Sequence, residues 1–232
     1  MSKNFRNSIC LLIIIVILTS CKNSYSFLLP DATCESPCWN GITPGKTTEE
    51  QLVADLKTIP IVAKDSIITN GGPRYIFDNL VFFSLPLEVK AIAFILKNKV
   101  VMILFSEKLG ITIGQVVEKV GQPEYIITYP AFQPSFFGDS KDILVTIIFP
   151  SQGIAIEYNA GRMNRALRSE INPERRVEWI LYFDPDKLQA ILEDGMFTPH
   201  SLDLTAWQVK KLLQSWNGYG VIGEKYPPVD YK

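Results

Sequence analysis

Apolar residues fall along this chain in three rhythms, and each predicts a different element. The first is an unbroken run from Ile9 to Leu18. The second is helical: Leu52, Val53, Leu56 and Ile59 lie at i, i+1, i+4 and i+7 and share one face. Thr47 with Glu50 three places on predicts a capping box, which satisfies orphan backbone donors at the helix start, and Pro60 stops the helix. The third rhythm is that of strands. Residues 61–69 and 74–84 are rich in Val, Ile, Phe and Tyr and are parted by the turn signal Asn70-Gly71-Gly72-Pro73. Lys90–Lys97 and Val100–Ser106 flank Asn98-Lys99 and read as a tight hairpin.

From residue 109 the order repeats. Gly45-Lys46-Thr47-x-x-Glu50 is matched by Gly110-Ile111-Thr112-x-x-Gln115 at an offset of 65. Thr112 and Gln115 form a second capping box, Val116, Val117 and Val120 a second apolar face, and Gly121-Gln122-Pro123 a second stop. Strands follow at 124–129, 143–149, 153–159 and 177–183. Asp184-Pro185 opens a short helix with Leu188, Ile191 and Leu192 inward. A final helix is expected over 204–216, and the aromatic, Pro-rich tail from Tyr219 is expected on the surface. The pattern predicts an α+β fold of two tandem helix-plus-antiparallel-sheet units with a C-terminal helix. The expected divisions are a signal peptide (1–20), a lipidated tether and leading loop (21–46), a first repeat (47–108), a second repeat (109–200), and the C-terminal helix and tail (201–232).

The apolar run is too short to span a bilayer, which takes roughly 20 residues. Lys3 and Arg6 precede it and Leu18-Thr19-Ser20-Cys21 closes it, as in a secretory signal. The segment resembles a bacterial lipoprotein signal with its lipobox. That resemblance implies a diacylglyceryl group on the Cys21 thiol and cleavage just before it. The mature chain would then be lipid-anchored on the extracytoplasmic face of a cell membrane or outer membrane. Residues 22–33 read as a linker, and Trp39 and Ile42 in the Gly- and Pro-rich loop that follows are expected to tuck onto the domain.

Removing residues 1–20 from the 232-residue chain leaves 212, enough for one substantial domain or two small ones. The formal charge of −1 becomes about −3 without Lys3 and Arg6, which argues against nucleic acid as a partner. Of four cysteines, Cys10 leaves with the signal and Cys21 carries lipid. An oxidising compartment favours pairing of the remaining two, Cys34 and Cys38. A zinc site would need further Cys or His ligands, and His200 is the only histidine. No metal and no cofactor is expected.

The Gly-x-Thr-x-x-Glu/Gln start, short helix, Gly-x-Pro and following strands resemble the unit of the SmpA/OmlA outer-membrane lipoproteins, subunits of the β-barrel assembly machinery. Gly110–Pro123 carries the better match and Gly45–Leu56 a looser one. Tandem copies of a similar unit occur in the β-lactamase inhibitor protein. Pro37-Cys38-Trp39-x-Gly41-Ile42-x-Pro44-Gly45-x-Thr47 is similar to a group of uncharacterised bacterial lipoproteins. None of these resemblances transfers a site.

Catalysis leaves little trace. No G-x-S-x-G, P-loop, H-E-x-x-H or Ca-binding loop is present, and His200 sits in a polar loop. Two segments stand out instead. Tyr129, Phe132, Phe136 and Phe137 interleave with Pro130 and Pro134, either as cover for a sheet end or as a platform for a protein or glycan. Arg162, Arg165 and Arg168, with Arg175 and Arg176, form either a solvated connector or a contact for anionic head groups or an acidic partner. The expected function is non-enzymatic: a binding or scaffold lipoprotein for an envelope protein or ligand, touching the membrane through its lipid. An inhibitor module and, further off, a cell-envelope hydrolase are the alternatives.

Overall fold

The computed structural model describes residues 25–30, 34–72, 77–107, 109–133, 140–162, 170–193 and 211–226, with backbone alone at 130–133, 140–141 and 162. Two helices start on the same device. Thr48 caps α1 (Glu49–Thr58): its hydroxyl accepts from Gln51 N at 3.2 Å, while Gln51 Oε1 accepts from Thr48 N at 3.0 Å. Thr112 caps α2 (Ile113–Val120) with Gln115 in the same way, at 3.3 and 2.9 Å. The first box therefore sits one residue later than the sequence pattern suggests. Thr47-Thr48-Glu49-Glu50-Gln51 offers two overlapping boxes, and backbone pairing decides between them. Thr47 O accepts from Val100 N at 2.9 Å, and the Thr47 hydroxyl is taken by Thr43 N at 2.8 Å. Leu52, Leu56 and Ile59 of the first helix and Ile113 and Val116 of the second are buried, as their spacing predicts.

The strands are β1 (Ala63–Gly71), β2 (Asn79–Ser84), β3 (Lys90–Leu96), β4 (Lys99–Ser106), β5 (Tyr125–Gln133), β6 (Ser140–Phe149), β7 (Ile154–Arg162), β8 (Glu170–Ile171), β9 (Trp179–Phe183), β10 (Leu213–Ser215) and β11 (Gly220–Val221). Nine of them form one sheet in the order β1-β2-β3-β4-β9-β7-β6-β5-β10. β4 and β9 meet antiparallel at its centre, Met102 opposite Phe183 and Ser106 opposite Trp179. Each helix start is tied to this seam: Thr48 bridges Lys99 at the head of β4, and Thr112 bridges Arg176 just before β9. The β3–β4 hairpin turns at Lys97-Asn98, both at positive φ as a two-residue turn requires, one place earlier than expected.

One face of the sheet packs on α1 and α2. Between the two helices, over the seam, lies the N-terminal segment. Leu28, Trp39 and Ile42 are buried there, and the Trp39 ring packs 4.9 Å from Phe105 and 5.7 Å from Phe83. Trp39 Nε1 donates to Phe27 O at 2.9 Å, and the Tyr182 hydroxyl donates to Leu28 O at 2.8 Å. Residues 25–30 thus pack on the core through Leu28, with Tyr25, Phe27 and Leu29 partly buried beside it, and are not a linker. Their four apolar and aromatic side chains fill a gap that two short helices leave open. Gly110, at φ +63°, lets the Tyr25 ring close on its backbone, where any β-carbon would collide. A disulfide joins Cys34 to Cys38, Cα to Cα 5.3 Å, and Pro37 of that loop, which follows a cis peptide bond, rests on Gly153.

The opposite face carries α3 (Leu188–Glu193), with Ile191 and Leu192 inward as expected. Of the helix expected over 204–216, residues 204–210 lie outside the described ones, Lys211 and Leu212 are helical, and Leu213–Ser215 is a strand paired with Ile127–Tyr125 of β5. An unpaired edge of β5 outbids helical propensity in a segment containing Gln, Ser and Trp. Nor does the tail stay on the surface. β11 pairs with β8, α4 (Ile222–Lys225) follows, and Ile222 and Tyr226 are buried. The Tyr226 hydroxyl donates to Gly218 O at 2.8 Å and accepts from Asn217 N at 3.0 Å, which fixes the tail's return.

Candidate binding surface

Side chains on the α3 face form rows across the sheet. One row passes from Ile68 through Phe82, Ile92 and Leu104 to Leu181, Ala155 and Ile148. A second runs through Leu80, Phe94 and Met102 to Phe183. Burial changes sharply along the rows. Leu181, Ala155, Ile148 and Phe183 are fully covered, with Ile191, Leu192 and Leu212 in the same cluster. On the β1–β4 half, Phe82, Ile92, Leu104, Leu80 and Phe94 are only half-buried, and Ile68 is 54% exposed. The first half of the sheet therefore presents a contiguous apolar strip, and such strips on a protein surface mark interaction sites.

Among the described residues, the covered half holds one buried charge-bearing group. Glu157 of β7 is 0% exposed. Its Oε1 accepts from Trp179 Nε1 at 2.5 Å, and its Oε2 accepts from the hydroxyls of Tyr129 at 2.5 Å and Thr146 at 3.0 Å. Burial pushes its carboxyl up to about 7, against the downward pull of the hydrogen bonds from Tyr129, Trp179 and Thr146. Burial beside that carboxyl also raises the Tyr129 hydroxyl. With both oxygens engaged and no solvent contact, Glu157 locks four strands together. It does not present a proton to a substrate. Sequence reading missed it, although Ile154-Ala155-Ile156-Glu157-Tyr158 places it opposite the Ile154, Ile156 and Tyr158 face by alternation alone.

At the Gly110 end of the seam an open groove of about 690 Å³ is lined by Tyr25, Ser106, Glu107, Arg176, Glu178 and Trp179, among others. A smaller one of about 270 Å³ runs beside α2, between Tyr25, Ser26 and Leu29 and Gln115, Glu118 and Lys119. Among the described residues there is no cluster of three or more His, Cys, Asp or Glu side chains able to hold a metal, and no helix long and apolar enough to cross a membrane.

Of the residues singled out from the sequence, Tyr129 and Phe132 on β5 and Arg162 on β7 flank the same stretch of β6. Tyr129 is 1% exposed and engaged with Glu157, so its ring is core and not part of a surface platform. The segment starting there continues β5 to Gln133 and pairs with β6, so it is hairpin more than insertion. Phe132 has backbone in β5 opposite Lys141, and Arg162 has backbone in β7 opposite Asp142; their side chains lie outside the described residues. Phe136, Phe137, Arg165, Arg168, Cys21 and His200 lie outside them altogether. Arg175 and Arg176 are exposed, with Arg176 at the seam groove. The strip on β1–β4 was hidden in the sequence because strict alternation shows that two faces exist, not which one stays uncovered.

No protein-family model, curated protein or solved structure matches the chain.

Proposed function

We propose that this chain is a membrane-anchored extracytoplasmic lipoprotein whose body is a non-enzymatic binding module for an envelope protein, built from two tandem helix-plus-sheet units. The anchor rests on Leu18-Thr19-Ser20-Cys21 behind a charged and apolar leader, and the Cys34–Cys38 disulfide suits an oxidising compartment. The tandem reading is supported by the equivalent Thr48 and Thr112 caps, the equivalent bridges to Lys99 and Arg176, and a strand order that runs 1-2-3-4 from one edge and 5-6-7-9 from the other side of the seam. The binding reading is carried by one observation, the half-covered strip of Phe82, Ile92, Leu104, Leu80 and Phe94 on a broad sheet.

The test is site-directed photo-crosslinking in native membranes, with the probe at Phe82 or Ile92 and a control probe at Lys57 on α1. A discrete protein adduct from the strip and none from Lys57 is the expected result. Equal or absent adducts from both would remove the binding reading. An inhibitor module is the second reading, favoured by the joining of two four-strand halves into one continuous sheet. It predicts that the purified body alone lowers the activity of an envelope enzyme.

A further inference from the structure

We propose that the Gly110 end of the β4–β9 seam faces the headgroup layer of the membrane that carries the anchor. The inference rests on the reading of Cys21 as lipidated and adds an orientation to it. Only three residues, 22–24, separate Cys21 from Tyr25. Four residue steps of chain reach at most about 14 Å even when fully extended. Tyr25 is not free to move away from the body. Its ring closes on Gly110, and three residues on the Leu28 carbonyl is held by the Tyr182 hydroxyl at 2.8 Å and the Phe27 carbonyl by Trp39 Nε1 at 2.9 Å. Leu28 itself is wholly buried. The lipid thus attaches through a short strap to a fixed point at one end of the sheet.

That end presents Glu107, Arg175, Arg176 and Glu178, a polar surface of balanced charge suited to a zwitterionic headgroup layer. The opposite end, with Lys99 and the Ser151 turn, lies the length of β4 further away, roughly 24 Å at the usual rise of a strand. On this placement the apolar strip of β1–β4 stands upright beside the bilayer and faces sideways, open to a neighbour in the same membrane.

The test uses the full chain, processed in bacterial membranes and reconstituted into vesicles of phosphatidylethanolamine and phosphatidylglycerol containing a headgroup-labelled quenching lipid. Fluorophores are placed singly at R176C and E178C near Gly110 and at K99C and S151C at the far end. Cys34 and Cys38 are paired and take no label. The expected result is at least about twofold stronger quenching at the near positions, from the separation of roughly 24 Å. Equal or reversed quenching on protein shown by intact mass to carry lipid would overturn the orientation while leaving the anchor in place. Absence of lipid on Cys21 would overturn both. Inserting a flexible Gly-Ser segment between Cys21 and Tyr25 is expected to erase the contrast. A contrast that survives it would overturn the short docked strap as its cause.

Discussion

The hydroxyl of Tyr182 donates to the carbonyl of Leu28 at 2.8 Å, across 154 residues of chain. One hydrogen bond thereby joins the N-terminal segment 25–30 to β9 of the central seam. Tyr182→Phe leaves that carbonyl buried without a partner, and such a loss costs about 1–3 kcal/mol. The expected outcome is a lower urea midpoint with an unchanged slope, together with faster proteolysis between Tyr25 and Pro30. Unchanged protease resistance would show that packing of Leu28 alone seats the segment.

Glu157 makes stability depend on pH. The unfolded chain releases this proton near 4.5 and the folded one holds it to about 7. The contribution is therefore fully present below pH 4.5 and is lost as pH rises through 7, a fall of about 3 kcal/mol. Glu157→Gln should flatten that part of the profile and exceed the parent in stability above pH 7. The amide keeps an acceptor for Trp179 and offers its donors to the Tyr129 and Thr146 hydroxyls, which are able to accept. Thermal melts at pH 5 and pH 8 on both proteins decide the matter, and parallel profiles would refute it.

Tyr158 gives the opposite case. Its ring is buried on the helix-bearing face, and its hydroxyl has no hydrogen-bond partner among the described residues. Removing an unsatisfied buried hydroxyl removes a desolvation cost of about 1–3 kcal/mol. Tyr158→Phe should leave the melting temperature unchanged or raise it. A drop of several degrees would reveal an ordered water on that oxygen.

The Cys34–Cys38 loop is short, so its closure adds at most about 2 kcal/mol on the chain-entropy account. A Cys34→Ser, Cys38→Ser double variant should fold and lose no more than that in denaturant titration. Alkylation of the parent without reductant should label neither thiol. A much larger loss would assign the loop a packing role through Pro37 on Gly153 and the Cys34 Sγ contact from Gly41 N.

Most of the framework was legible in the sequence, because local chemistry decided it. Thr112 with Gln115, the alternation through Lys90–Ser106 and the Asp184-Pro185 start all act within a few residues. What the sequence did not disclose was settled at long range. Thr48 prevails over Thr47 as a cap only because Val100 claims the Thr47 backbone. Leu213–Ser215 becomes a strand only because β5 offers an edge. Tyr129 reads as one ring of a surface cluster until Glu157, 28 residues on, supplies its hydroxyl with an acceptor. The half-covered strip behaves likewise: Phe82 and Ile92 alternate as core residues do, and α3 lies over the other half of the sheet.

The placement of Leu28, Trp39 and Ile42 over the seam also bears on the timing of folding. The Leu28 carbonyl must wait for Tyr182, late in the chain, before its hydrogen-bond donor exists. Closing so long a loop carries a large entropic cost, and contacts of such sequence separation form late. The β1–β4 half is complete by residue 106 and already offers Trp39 the rings of Phe83 and Phe105, whereas the donor to the Leu28 carbonyl comes only with β9. Folding therefore ends with residues 25–30, made early and among the last parts to become rigid.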